Sequence, residues 1–311
     1  TEIYTLSLHD ALPISVNYHL QAFEKMGAEV KLSNGMIVTK GKLKGATISF
    51  KKSSVGATGN TIMAAVTAEG TTIIKNAAQE PEIESLCVFL NKMGADIKGH
   101  GSRKIVITGQ KELHDGIEYH VIPDRIEAGT YLIAAAITKG DVVLDNVNPH
   151  HMGIVLEYLQ NAGMKLIIKN DAIHILSNKN YTIPVDMRTQ IYPGFPTDLQ
   201  AQWMALMSQA DGSSIITETI YTDRFTHIPE LSRFGAHIDL LSNKATIKGN
   251  DALIGAPVMS TDIRASASLI IAALQAEGKS TISRIYHIDR GYENMETKLS
   301  ELGAEIIRQK D

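Results

Sequence analysis

The 311 residues predict an α/β protein assembled from repeated helix–strand–helix–hairpin units in two domains, and three observations predict it. The first is a helix-end signal, Gly then a small or apolar residue then a polar one. It recurs as Gly27-Ala28-Glu29, Gly94-Ala95-Asp96, Gly163-Met164-Lys165, Gly235-Ala236-His237 and Gly303-Ala304-Glu305, with steps of 67, 69, 72 and 68. The second is an interleaved marker at Glu69-Gly70-Thr71, Lys139-Gly140-Asp141, Asp211-Gly212-Ser213 and Glu277-Gly278-Lys279, with steps of 70, 72 and 66. Two interleaved series with one period mark a structural repeat. The period exceeds that of most solenoids, so each unit is expected to be a complete supersecondary module. The third is a regular alternation of apolar helical stretches with β-rich ones between those markers.

Each unit reads in the same order. Apolar helices such as Thr61–Val66 and Leu269–Leu274 run up to the second marker, whose Gly terminates them. β-Branched stretches follow, as in Thr71–Ile74 and Ser280–Ser283. A more amphipathic helix comes next. From Pro81 to Asn91 the apolar positions Ile83, Leu86, Cys87 and Leu90 follow the i, i+3, i+4, i+7 spacing of one helix face. That helix ends at the first marker, and a hairpin-like pair follows, as in Glu29–Leu32 and Met36–Thr39. Four helix–strand–helix segments are complete, with a piece of a fifth unit at the amino end.

Composition bounds the function. Hydrophobic residues at 44% and charged residues at 21% suit a soluble globular chain rather than a disordered one. A net charge of −4 gives no electrostatic case for nucleic acid or an anionic membrane, so any anion site has to be a local cluster of Arg and Lys. One cysteine, Cys87, excludes an internal disulfide framework and fits a reducing compartment. No apolar run approaches the roughly 20 residues needed to span a bilayer, and the first residues lack the pattern of a secretory signal. A cytoplasmic protein is expected. Cys87 lies on the apolar face of its helix and reads as a small buried hydrophobe.

Six segments carry a family resemblance: Ser54-Val55-Gly56-Ala57-Thr58, Ala78-Gln79-Glu80-Pro81-Glu82-Ile83, Pro123-Asp124-Arg125-Ile126-Glu127, Phe195-Pro196-Thr197-Asp198, Arg264-Ala265-Ser266-Ala267-Ser268 and Tyr286-His287-Ile288-Asp289-Arg290-Gly291-Tyr292-Glu293. Together with the period and module order they resemble the enolpyruvyl transferases, and within them the branch acting on UDP-N-acetylglucosamine. The resemblance runs from Val16 to the end. It implies an inside-out α/β barrel with helices bundled inside, sheets outside, and three units in each of two domains. Residues 16–122 would be two of the three units of an incomplete first domain. Residues 123–311 would be the second domain, lacking its amino-terminal strand, with a hinge near Val121-Ile122-Pro123. Residues 1–15 fit neither the repeat nor the family, which carries a Gly-Gly-Cys-Ala-Ile-Gly loop and an Arg-Pro pair at this place. They read as a foreign segment, such as a translated sequencing adapter, fused to a truncated frame. The chain alone is therefore expected to show no turnover and at most weak uridine-nucleotide binding.

The resemblance implies transfer of an enolpyruvyl group from phosphoenolpyruvate to the 3-hydroxyl of UDP-N-acetylglucosamine, the committed step of peptidoglycan precursor synthesis, by addition and then elimination of phosphate. Such chemistry needs a base for the hydroxyl, an acid for the methylene carbon and cations for phosphate and carboxylate. On residue chemistry alone Asp198 reads first as a helix N-terminal carboxylate favoured by the dipole; the Phe-Pro-Thr-Asp match makes it the expected base. Asp124-Arg125, Asp223-Arg224, Asp262-Ile263-Arg264 and Asp289-Arg290 each set an acid just before a cation near a predicted helix start. A single such pair would be a surface ion pair worth little; its recurrence suggests helix amino ends and arginines converging on an anion. By resemblance Arg224, Arg264 and Arg290 hold phosphoenolpyruvate, Arg290 being counted catalytic with Asp198, and Asp262 orients the cluster.

For the nucleotide sugar, Lys52, Ser53, Ser54 and Val55 match the family's diphosphate segment at a helix amino end, although Ser there also reads as an ordinary cap. Val16, Asn17 and Tyr18 match part of the uridine loop, and Ile220 matches a sugar-contacting position. Arg125 and Glu80 are further candidates; Tyr192, where some relatives have His, is given no role. Gly99-His100-Gly101 lacks the Gly-Lys of a phosphate loop, and His150-His151 lack metal-ligand spacing. No metal and no organic cofactor is expected. Transfer to shikimate 3-phosphate and a non-catalytic repeat scaffold remain as other readings.

Overall fold

The repeat glycines share one backbone conformation. In the computed structural model, which describes residues 4–7, 16–33, 36–177, 181–249 and 252–309, Gly27, Gly94, Gly163, Gly235 and Gly303 all have φ between +93° and +101°. Each ends a helix in the left-handed conformation that glycine adopts without a Cβ penalty. The second series is less uniform. Gly70, Gly212 and Gly278 have positive φ, whereas at Lys139-Gly140 the lysine takes it, at +55°.

The chain divides into two units, 1–122 and 123–311. In the first, β1 (Tyr4–Ser7), α1 (Val16–Lys25), β2 (Glu29–Ser33) and β3 (Met36–Lys40) form an antiparallel sheet ordered β1-β3-β2 beside one helix. Of the segment read as foreign, β1 lies within the described residues, and its backbone pairs with Met36–Thr39. A full module follows: β4 (Thr47–Ser49), α2 (Val55–Ala65), β5 (Thr71–Lys75), α3 (Pro81–Lys92), β6 (Asp96–Lys98) and β7 (Lys104–Thr108). Its sheet is ordered β4-β5-β7-β6. β4 and β5 are parallel, with α2 as crossover, and β6 and β7 form the hairpin. α3 buries Ile83, Cys87 and Leu90, the face its spacing predicts, against a core that includes Ile62, Ile74, Ile105 and Ile107.

The second unit repeats the plan. α4 (Arg125–Ile137) leads into β8 (Asp141–Asp145), α5 (Gly153–Asn161), β9 (Lys165–Ile168) and β10 (Ala172–Leu176), with sheet order β8-β10-β9. Next come β11 (Met187–Arg188), α6 (Gln200–Met207), β12 (Ser213–Thr217), α7 (Ile228–Arg233), β13 (His237–Leu241) and β14 (Lys244–Lys248), ordered β11-β12-β14-β13. β15 (Pro257–Met259), α8 (Ile263–Gln275), β16 (Thr281–Ser283) and α9 (Met295–Glu301) close the chain, β15 and β16 being parallel.

Within the second unit α4, α6 and α8 lie inside and the sheets outside. Every residue of α6 is buried, as is every residue of α8 from Ala265 to Ala272. Buried on every side, these two helices are enclosed by the other elements of the unit. The strands alternate: β14 buries Ala245 and Ile247 and exposes Lys244, Thr246 and Lys248, so one sheet face meets water. Trp203 of α6 is fully buried and packs edge-on against Phe195 and Tyr158, with ring centroids 5.6 and 5.7 Å away. Truncating such a ring costs about 3–5 kcal/mol. Phe195 thus ties the segment that carries Asp198 to the core.

Candidate active site

Core packing fixes Asp198 from both sides. Before it, Phe195 is anchored on Trp203; after it, Leu199 is fully buried at the end of a 3-10 turn, Thr197–Leu199, that runs into α6. Gly129 of α4 makes room: a Cβ there would come within 2.5 Å of the Leu199 side chain. Asp198, between these anchors, keeps 38% of its side-chain surface accessible.

Its carboxylate is held by two guanidiniums. Arg224 Nη2 lies 2.8 Å and Arg264 Nε 3.2 Å from Asp198 Oδ1. Asp198 does stand in the first turn of the 3-10 segment, as an N-terminal carboxylate would, but neither that turn nor α6 has a side-chain cap bond. Burial opposes ionisation of Asp198, but Arg224 and then Arg264 outweigh it and hold the carboxyl below the usual range. Burial likewise opposes charge on Arg264, yet Asp198 and Tyr292 raise its pKa further. The Arg264 guanidinium sits 5.8 Å from the centre of the Tyr292 ring and donates through Nη1 to its hydroxyl at 3.3 Å. That hydroxyl is also 2.8 Å from Thr130 Oγ1 and accepts from Gln202 Nε2 at 3.3 Å, which joins α4 and α6 to the arginine.

Asp262 acts as the N-cap of α8, accepting from the Arg264 and Ala265 amides at 2.8 and 3.0 Å. It fixes the backbone from which Arg264 projects. His227 is buried behind this cluster, its Nε2 3.2 Å from Met204 Sδ. Burial pushes its pKa down to about 4, opposed by Asp262 and reinforced by Arg224.

Comparison with known proteins identifies the family and the fold. The family model described as EPSP synthase (3-phosphoshikimate 1-carboxyvinyltransferase) matches residues 13–299. The UDP-N-acetylglucosamine 1-carboxyvinyltransferase of Chlorobium luteolum is 54% identical over 301 residues, covering 96% of this chain and 70% of the relative. That of Bartonella henselae is 52% identical over 298 residues, 94% of this chain and 69% of its own length. The chain belongs to the UDP-N-acetylglucosamine 1-carboxyvinyltransferase family. Among solved structures, the enolpyruvyl transferase NikO from Streptomyces tendae superposes with a TM-score of 0.86 at 23% identity, over 97% of this chain and 73% of that one. EPSP synthase from Acinetobacter baumannii gives 0.67 at 21% identity, over 93% and 70%. These two show the enolpyruvyl transferase fold. Carboxyvinyltransferases are enzymes.

Three of those residues, Asp198, Arg224 and Arg264, are brought together, with Asp262 beneath them. Arg290 is not brought to them. It is exposed at the end of a 3-10 turn, Ile285–Arg290, that is anchored by buried Ile288, and its neighbour Asp289 pairs with Arg308 at 2.5 Å. The Asp-Arg pattern is a helix start only twice: Asp124 and Asp262 cap α4 and α8, whereas Asp223 and Asp289 lie in turns. Ile220 is exposed on the loop before Arg224. Arg125 opens α4 with its guanidinium 5.5 Å from the Tyr192 ring, so the tyrosine left without a role has a cationic neighbour. Glu80 is buried at the start of α3.

In the first unit, Val16, Asn17 and Tyr18 form the opening turn of α1 rather than a loop, and Tyr18 packs on Phe50 at 5.9 Å. Ser54 is the N-cap of α2, its Oγ accepting from the Ala57 amide at 3.3 Å; Lys52, Ser53 and Val55 flank it, Lys52 and Val55 exposed. Cys87 is fully buried, and burial, with Glu84 adding, pushes its thiol up to about 12. Two further residues, Glu218 and Tyr292, carry no individual mark in the sequence. Tyr292 lies inside a matching motif, but Glu218 stands at a strand end among threonines, where nothing in the pattern marks it.

Proposed function

We propose that the chain carries the base and anion-binding part of the machinery for transfer of the enolpyruvyl group from phosphoenolpyruvate to the 3-hydroxyl of UDP-N-acetylglucosamine, with release of phosphate, and shows no turnover by itself. The observation that carries this reading is the Asp198 carboxylate between Arg224 and Arg264. A base and two cations at one point match a reaction that removes a hydroxyl proton beside a phosphorylated carboxylate. In the addition, the sugar oxygen bonds to C2 of the enolpyruvyl group, Asp198 takes its proton and C3 gains one from an acid. In the elimination, C3 loses a proton, the C2–phosphate oxygen bond breaks, and the double bond forms again.

At rest Asp198 is a weak base, because two guanidiniums stabilise its charged form. An arriving phosphate or carboxylate offers those guanidiniums a bidentate partner. Arg224 and Arg264 turning toward the anion leave Asp198 more basic at the moment the hydroxyl must be deprotonated. Arg290, exposed at the end of its turn, adds a third cation when it moves onto the same anion. In the first unit, Lys52 and the opening amides of α2 hold the diphosphate, with Val16, Asn17 and Tyr18 at the uridine; the Ser54 hydroxyl is already engaged as a cap. The UDP-N-acetylglucosamine 1-carboxyvinyltransferases of Chlorobium luteolum and Bartonella henselae are more than twice as identical to the chain as the EPSP synthase structure, which favours the nucleotide sugar over shikimate 3-phosphate.

Calorimetric titration tests the reading. UDP-N-acetylglucosamine should bind and shikimate 3-phosphate should not. Arg264→Ala should weaken phosphoenolpyruvate by about tenfold or more, the scale of one charge-assisted hydrogen bond, and leave the nucleotide sugar within a few-fold. Preference for shikimate 3-phosphate would favour the sister activity. An equal loss for both ligands would make Arg264 structural, and indifference of both to the arginines would favour a scaffold.

A further inference from the structure

One fully buried carboxylate in the second unit has no place in the chemistry described so far. Glu218 follows β12 and is 0% exposed. Among the described residues no cation pairs with it directly. Its Oε1 accepts from the Thr189 hydroxyl at 2.6 Å and from the Ile220 and Tyr221 amides at 2.7 and 3.0 Å. Its Oε2 accepts from the Thr197 hydroxyl at 2.8 Å. Thr197 precedes Asp198, and its Oγ1 in turn accepts from Arg224 Nη1 at 3.1 Å. Three segments thus meet on one carboxylate: the end of β11 through Thr189, the turn carrying Asp198 through Thr197, and the loop that leads to Arg224 through its amides.

A buried charge without a cation is costly unless its hydrogen bonds are complete, and here four donors meet it. The direction of the Thr197 hydroxyl matters most. Because that hydroxyl donates to Glu218, its lone pairs face Arg224, and a guanidinium that can only donate finds an acceptor there. The Nη1 of Arg224 is held by Thr197 while its Nη2 is held by Asp198. A neutral amide at residue 218 would break this polarity. Its oxygen would serve the three donors on the Oε1 side, and its NH2 group would compete with Arg224 for Thr197 Oγ1.

We propose that Glu218 is a positioning residue for the Asp198–Arg224 pair, acting through the Thr197 hydroxyl, which it polarises into an acceptor for the guanidinium. This deepens the reading of Asp198 as the base, and its test needs no substrate, so it can fail or succeed independently of that reading.

The test is a titration of the Asp198 carboxyl by 13C NMR, its resonance assigned by its loss in Asp198→Asn. Arg224 and Arg264 are the cations facing that carboxyl. Field and positioning act in opposite directions. Removing the negative charge of Glu218 by Glu218→Gln would, through the field alone, lower the Asp198 midpoint. Releasing Arg224 should instead raise it by about one pH unit, as expected for loss of one close opposite charge. Thr197→Val, which keeps Glu218 and its amide bonds, should give the same rise, and the double variant should give no more than either single one. A lowered or unmoved midpoint in Glu218→Gln, or full additivity in the double variant, would overturn the proposal. Should Glu218→Gln not fold, Thr197→Val decides alone, and an unmoved midpoint there overturns it.

Discussion

Replacing Asp198 by Asn should make the site a better anion trap. In the wild-type chain Arg224 and Arg264 both contact Asp198 Oδ1, at 2.8 and 3.2 Å, so an incoming phosphate has to compete with a carboxylate already in place. A charge-assisted hydrogen bond is worth about 1.5–3 kcal/mol when buried. Asp198 keeps 38% of its side-chain surface accessible, so solvent screening reduces each to about 1 kcal/mol. Loss of both gives about 2 kcal/mol, which is roughly thirtyfold in affinity at 1.36 kcal/mol per decade. The Asn oxygen can still accept from one arginine, which retains part of the competition and brings the expected gain nearer tenfold. Isothermal titration with inorganic phosphate at neutral pH measures it directly, and Asp198→Ala, without any acceptor, should give the larger figure. The same variants should lose the proton acceptor for the sugar hydroxyl. If phosphate bound with unchanged or weaker affinity in both variants, the anion would not be using the Arg224 and Arg264 faces that Asp198 occupies, and the competition argument would fail.

Three further outcomes follow from particular contacts. His227, fully buried and with its pKa pushed down to about 4 from 6.5, binds a proton more readily unfolded than folded, so stability is constant above about pH 6.5 and falls as pH drops toward 4. The loss approaches about 3 kcal/mol, and thermal melts across that range should show it reduced in His227→Gln. Cys87, buried with its thiol pushed up to about 12, should resist a thiol reagent in the native chain and react fully in denaturant; stoichiometric native labelling would contradict its core position. Gly129→Ala should destabilise by about 1–3 kcal/mol, despite a helix-propensity gain of about 1 kcal/mol, because its Cβ would meet the Leu199 side chain at 2.5 Å. Denaturant melts measure the cost, and since Leu199 adjoins Asp198, phosphate affinity should change with it.

What could be read from the sequence was what repeats or what depends on neighbours along the chain. The five marker glycines are legible because one backbone requirement, a left-handed residue after a helix, recurs with one period. The face of α3 is legible because helix periodicity maps spacing onto burial. Capping by Asp124, Asp262 and Ser54 is local in the same sense, and all three caps are formed. Pairing across the fold has no such signature. Asp198 meets Arg224 and Arg264 from positions 26 and 66 residues away, and nothing in the residues themselves distinguishes those arginines from Arg290, which stays exposed. The Asp-Arg doublets illustrate the limit. Only the acids at true helix starts, Asp124 and Asp262, are taken up by backbone amides, whereas Arg224 reaches Asp198 from a turn without any such cap. At Asp262 this arrangement holds, and the cap sets the starting point of the Arg264 side chain that reaches Asp198. At Asp289 it does not, and the acid is taken by Arg308 from the chain's end. Glu218 lies furthest from legibility, because its effect on Asp198 passes through a hydroxyl on another segment, and only the fold brings Thr197 within 2.8 Å of it.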